Sequence, residues 1–320
     1  MLNTFRTNTP QSMFFSTAIA VVVLLPNVWL SFSDQENIQN MSLITPLVQS
    51  FSIGSQKVIS FFLLILTILY SNYTVLNHRI LGTENRYTAV FVSLFIAIGA
   101  TFQLSMIFPL CGLLLVRFFD RCFEIQKSTY PNNLVFDASF LVGLLSIIYF
   151  PLVFLLPVVW VSIFYSSKIS LKAFVLSIVI FLVVIYMASG VFFLFDLPVS
   201  FSFEAWSSKN LMHLALVQKV ILAVVGVVLL FSIPKYLDAL RLNKILVRGH
   251  LSLLLWSFIP ISIAFLGINQ PAPNLLAFLS FPFGILTALL FLKMTKRIVS
   301  NILFFSLVIC VVYYKYSLLL

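Results

Sequence analysis

Residues 87–116 read YTAVFVSLFIAIGATFQLSMIFPLCGLLLV, a nearly unbroken apolar run whose reading decides the fold. As one helix its roughly 30 residues would extend ~45 Å. A bilayer core is ~30 Å thick and takes ~20 residues per helix. Gln103 and Pro109 lie near the middle of the run. Residues 138–165 pose the same question, with Tyr149, Phe150 and Pro151 near the middle. Each run is either one long tilted helix or a hairpin of two short ones. The charges decide. Arg79 and Arg86 precede the first run, Arg117 and Arg121 follow it, and Lys168 and Lys172 follow the second. Hairpins put all these clusters on one side. Single spans would alternate them, against the tendency of Lys and Arg to stay in cytoplasmic loops. The pattern predicts two short Pro-containing hairpins.

Working outward, residues 13–32, 57–76, 173–195, 214–233, 251–267, 275–292 and 300–314 each supply one further span. The expected fold is an all-α, polytopic transmembrane helix bundle of about 11 spans. It forms a single integral membrane domain over residues 1–320, with the N-terminus inside and the C-terminus outside. Of the 19 Lys and Arg, all but Lys57, Lys209, Lys219 and Lys315 then fall inside. Composition agrees: 61% of residues are hydrophobic and 9% charged, with a mean hydropathy of +1.11. A soluble domain carries ~25% charged residues. The N-terminal run at residues 13–32 exceeds the ~7–15 residues of a signal-peptide core and lacks a small-x-small site, so it reads as a retained span.

The net charge of +10 reads as topogenic, and no nucleic-acid partner is expected, because no soluble basic face exists to receive one. Cys111, Cys122 and Cys310 are widely spaced, without a CxxC, and imply neither a disulfide frame nor a metal knuckle. His78, His213 and His250 are the only histidines, and the expected topology does not put them on one face. There is no HxxxH pair, P-loop, GxGxxG or Ser–His–Asp signature. No metal site or resident cofactor is expected.

Candidate chemistry gathers in two loops on the outer side. Residues 33–56, SDQENIQNMSLITPLVQSFSIGSQ, carry Asp34 and Glu36 directly after the first span. Residues 196–213, DLPVSFSFEAWSSKNLMH, add Asp196, Glu204, Lys209 and His213, and Lys219 lies just inside the next span. Carboxylates on one face serve as a general base or hold a divalent cation, making Asp34 and Glu36 the catalytic candidates. Asp196, Lys209, His213 and Lys219 are the substrate- or phosphate-binding candidates. Solvated loop charges are the plainer reading. In residues 41–53, Leu43, Ile44, Leu47, Val48 and Phe51 share a helical face, which suits a helix lying in the interface. The inner interval 234–250, PKYLDALRLNKILVRGH, is the most basic. Its Arg241, Lys244 and Arg248 recur at helical spacing, as an interfacial helix contacting anionic lipid would have them.

Two segments carry a family likeness. Residues 74–97, TVLNHRILGTENRYTAVFVSLFIA, have a polar turn followed by an aromatic opening of the next span. Residues 136–174 begin FDASFLVGLLSIIYFPL. Both resemble the uncharacterised Bacteroidota multi-pass inner-membrane family called domain of unknown function 6427. That resemblance implies a bacterial inner (cytoplasmic) membrane location and no catalytic residue. A broader, fold-level likeness is to the C-type membrane glycosyltransferases, in which an acid in the first outer loop precedes an interfacial helix. Asp34 or Glu36 would match that acid, although they are not adjacent and the outer loops are small.

Three functions follow as expectations. The first is a non-catalytic subunit or scaffold of an envelope assembly, with other envelope membrane proteins as partners. The second is a C-type-glycosyltransferase-like enzyme using a polyprenyl-phosphate-linked substrate at the outer face; only this reading brings in a divalent cation. The third is a transporter or lipid flippase, disfavoured by how few ionisable residues the apolar runs contain. The lipid bilayer is a partner in all three.

Overall fold

In a computed structural model, the described residues of each long apolar run lie in two α-helices. The structure describes residue 5 and residues 9–29, 51–82, 85–99, 107–166, 169–194, 216–266, 277–294 and 297–317. These are all-helical, with no strand among them. The first run supplies α3 (Tyr87–Gly99) and α4 (Ile107–Lys127). The second supplies α5 (Asn132–Ile148), a 3-10 turn (Phe150–Leu155) and α6 (Leu156–Phe164). Its break has a local cause. Tyr149 is extended (φ −145°, ψ 97°), and Pro151 then opens the 3-10 turn, with Pro157 opening α6. Proline lacks a donor and fits most easily in the first turn of a helix.

Before the first run stand α1 (Pro10–Trp29) and α2 (Ile53–Asn77). After the second follow α7 (Leu171–Leu194), α8 (Leu216–Leu242), α9 (Ile245–Leu266), α10 (Ser280–Lys293) and α11 (Arg297–Ser317). The described residues thus carry helices over parts of the expected spans. Four of them, α2, α7, α8 and α9, are long and apolar enough to cross a membrane. The surface agrees. Around α7, Tyr186 and Phe193 are 79% and 81% exposed, and apolar side chains cover most of its circumference. In water such a patch would drive association; hydrocarbon solvates it.

One expectation fails. Residues 234–250 are not a separate interfacial helix. Instead α8 continues through Pro234 to Leu242, and α9 begins at Ile245. Good helix formers (Leu, Ala, Arg) after Pro234 let α8 run on. The turn is closed by side chains: the Asn243 amide donates to the Ala239 carbonyl at 2.8 Å, and Arg248 donates to the Arg241 carbonyl at 3.3 Å.

The core has two lobes. α3 is buried at every position and lies among α1, α2, α10 and α11. The other lobe gathers α4, α5, α6 and α9, and α10 bridges the two. Small residues set the helix spacing where contact is tightest. A Cβ built on Gly284 of α10 would stand 2.5 Å from Val92 of α3, and one on Gly143 would stand 2.6 Å from Val184 of α7. In a bilayer such close packing replaces the hydrophobic drive available in water.

Candidate functional site

α4 runs past the end of its apolar stretch at Val116 and carries Arg117, Asp120, Arg121, Glu124 and Lys127 at three- and four-residue steps, one polar stripe. Asp120, at the edge of that stripe, is buried. On α2, Tyr70, Thr74 and His78 follow each other at four-residue intervals and so share a face. The two faces meet. His78 Nε2 lies 2.8 Å from Asp120 Oδ1, and the Tyr70 hydroxyl donates to Asp120 Oδ2 at 2.6 Å. Arg117 Nη1 donates to both the Tyr70 hydroxyl (2.6 Å) and Asp120 Oδ2 (2.9 Å).

His78 is placed by the way α2 ends. It is the C-cap, and the Ile80 amide returns to the Val75 carbonyl while the Arg79 amide returns to that of Leu76, both at 3.1 Å. This is a Schellman motif. Its left-handed position is held by Arg79, with φ +49°, where glycine is usual. Val75 and Ile80, the apolar pair that closes such a motif, are both buried.

A second histidine arrives from α9. His250 is fully buried, and its ring meets that of His78 edge-on, with centroids 5.5 Å apart and an interplanar angle of 79°. Phe123 of α4 packs on both rings. His250 Nδ1 lies 2.7 Å from Gln126 Oε1, and Gln126 donates on to the Gly249 carbonyl. Glycine at 249 permits this approach, since a Cβ there would stand 3.0 Å from Gln126 Oε1.

The partners fix the tautomers. Ionised Asp120 and the Gln126 oxygen only accept, so His78 carries its proton on Nε2 and His250 on Nδ1. The remaining nitrogens, His78 Nδ1 and His250 Nε2, are buried and have no hydrogen-bond partner among the described residues. Asp120 itself lies beyond Val116. Burial opposes its ionisation, but the hydrogen bonds from His78 and Tyr70 and the charge of Arg117 outweigh it. They hold the carboxyl below the usual carboxylate range. The arrangement is a line of polar groups from half-exposed Arg117, through Tyr70, Asp120 and His78, to His250 and Gln126.

The sequence-derived candidates lie elsewhere. Asp34, Glu36, Asp196, Lys209 and His213 fall outside the described residues, as does the expected interfacial helix up to residue 50. Lys219 is exposed in the first turn of α8. Arg241, Lys244 and Arg248 are exposed around the α8–α9 turn. His78 and His250, both expected on the inner side, touch, and Asp120 is buried beside His78 just past the apolar run that ends at Val116. Among the described residues no three His, Cys, Asp or Glu side chains gather as a metal site would. Compared with known protein families, curated proteins and solved structures, the chain matches none.

Proposed function

We propose that the chain is a multi-pass protein of the bacterial inner membrane that transfers protons at its cytoplasmic end as part of a proton-linked carrier. The proposed topology has about 11 spans, the N-terminus inside and the C-terminus outside. The observation that carries this reading is the contact between His78 and His250, each with a bare, buried nitrogen, beside the carboxylate of Asp120. Buried ionisable groups are costly unless paired, and clusters of them gather at functional sites. The apolar runs themselves still hold few ionisable residues, so the reading rests on this end of the bundle.

The chemistry follows from the partners. A proton arriving at His78 Nδ1 makes an imidazolium whose charge Asp120 balances. A proton arriving at His250 Nε2 makes one facing only the amide oxygen of Gln126. The two bare nitrogens thus belong to touching rings, one beside a carboxylate and one beside an amide. Neutral rings are restored when the proton leaves, and no bond other than N–H is made or broken.

A second reading, the scaffold, draws on one feature. Both oxygens of Asp120 are engaged, so the cluster also works as a clasp joining α2 to α4, with Gln126 and His250 joining α4 to α9. Proteoliposomes holding a pH-sensitive dye separate the two. Under an imposed pH gradient, wild-type protein is expected to dissipate the gradient faster than empty vesicles. His78→Gln and His250→Gln proteins that keep a cooperative thermal transition are expected to fall to the empty-vesicle leak. Wild-type vesicles that leak no faster than empty ones would sink the carrier and leave the clasp.

A further inference from the structure

The side of α9 facing away from the bundle carries a second arrangement. Arg248, Ser252, Trp256, Ile259 and Ile263 follow at steps of four, four, three and four, one continuous stripe. Arg248, Trp256 and Ile259 are exposed along it. The antiparallel 3-10 turn and α6 flank the stripe. Phe154, Pro157 and Val161 form one wall of an apolar groove, and Trp256, Ile259 and Ile263 form the other. The two walls come together at the Arg248 end, where a Cβ on Gly249 would stand 3.7 Å from the Cβ of half-exposed Tyr165. Two of the walls' turning points, Pro157 and Pro260, are rigid, so the groove is preformed.

We infer that this groove is the seat of one acyl chain of an anionic phospholipid whose phosphate lies against Arg248 and Lys244. Two features argue for that occupant. The first is charge: Arg241, Lys244 and Arg248 are all exposed around the α8–α9 turn, and cytoplasmic-leaflet anionic lipids are drawn to such clusters. The second is distance. Trp256 and Ile263 lie ~12 Å and ~22 Å along the helix axis from Arg248. In a leaflet whose half of the hydrocarbon core is ~15 Å thick, Trp256 lies at acyl-chain depth and Ile263 beyond the chain's end near the midplane. Tyr165 at the charged end suits the headgroup level, where tyrosine collects. The site uses none of the His78–Asp120–His250 cluster. It rests on the α8–α9 turn facing the cytoplasm, which a reporter fusion at Asn243 tests separately.

The test uses the full chain in phosphatidylcholine vesicles doped with phosphatidylglycerol brominated on its acyl chains. The Trp256 signal is taken as the difference between wild type and Trp256→Phe. Brominated phosphatidylglycerol is expected to quench that signal more strongly than the same mole fraction of brominated phosphatidylcholine. Arg248→Gln is expected to erase the preference and Arg248→Lys to keep it. Ile259→Phe, which fills the groove and leaves the charges, is expected to weaken quenching by the brominated chain. Equal quenching by the two lipids means exchangeable boundary lipid only and overturns the inference. A preference that survives Arg248→Gln also overturns it. So does displacement of the brominated lipid by an equal mole fraction of farnesyl phosphate, which would give the seat to a polyprenyl lipid.

Discussion

His78 Nε2 stands 2.8 Å from Asp120 Oδ1, across 42 residues of sequence, with both side chains buried. This pair joins the end of α2 to the polar stripe of α4. A buried pair costs desolvation on both sides, and its loss is felt most when one partner stays behind.

Replacing His78 leaves Asp120 buried with only Tyr70 and Arg117, and replacing Asp120 removes the carboxylate that His78, Tyr70 and Arg117 share. Asp120→Asn and His78→Gln are each expected to lower the thermal transition of the detergent-solubilised protein, by up to ~3–5 kcal/mol. The double variant should lose less than the sum, by ~0.5–3 kcal/mol. Strictly additive losses in a double-mutant cycle would mean that the contact carries no coupling.

Arg79 occupies a left-handed backbone position at φ +49°. Arg79→Gly is expected to raise stability by about 1 kcal/mol, because glycine adopts that conformation without the Cβ clash. Arg79→Val is expected to lower it. Thermal melts of the two variants should move in opposite directions; a shared direction would contradict the Schellman geometry of this helix end.

The attachment of α7 turns on Gly143 and on a hydrogen bond from the Trp160 indole to Ser177 at 2.9 Å. A Cβ at position 143 would meet the Val184 Cβ at 2.8 Å, an atom that no rotamer change can move away. Gly143→Ala is therefore expected to cost ~1–3 kcal/mol as overpacking. An unchanged melting curve would show that α7 is free to shift on α5.

Topology has its own test. Reporter fusions at Gln35 and Ser207 are expected to score outside the membrane and one at Asn243 inside. The opposite pattern would mean that the two broken runs do not return to the side they left.

The spans were legible because apolar length is a local property. The runs at 13–32 and 173–195 correspond to α1 and α7 within a few residues. The break at Tyr149–Pro151 was legible too, since proline acts on its neighbours alone. The site was not. Asp120 sits between Arg117 and Arg121 and reads as one more charge at an inner helix end. Its partners Tyr70 and His78 are 50 and 42 residues away, and Gln126 and His250 are separated by 124. The usable signals were the four-residue spacing of Tyr70, Thr74 and His78 and the three-residue step from Arg117 to Asp120. Each says which face a residue shares, and neither says which helix that face meets. The α8–α9 turn shows the reverse failure: a basic amphipathic pattern looked like a separate surface helix, although its residues end one long helix and begin the next.

The most direct measurement is solid-state nitrogen NMR on histidine-labelled protein in bilayers, with His213→Gln leaving only His78 and His250. At neutral pH the account predicts two neutral rings of opposite tautomer, His78 protonated on Nε2 and His250 on Nδ1. On acidification the two touching rings should take up their protons one after the other. Two rings of the same tautomer, or two rings that charge together and independently, would contradict the relay.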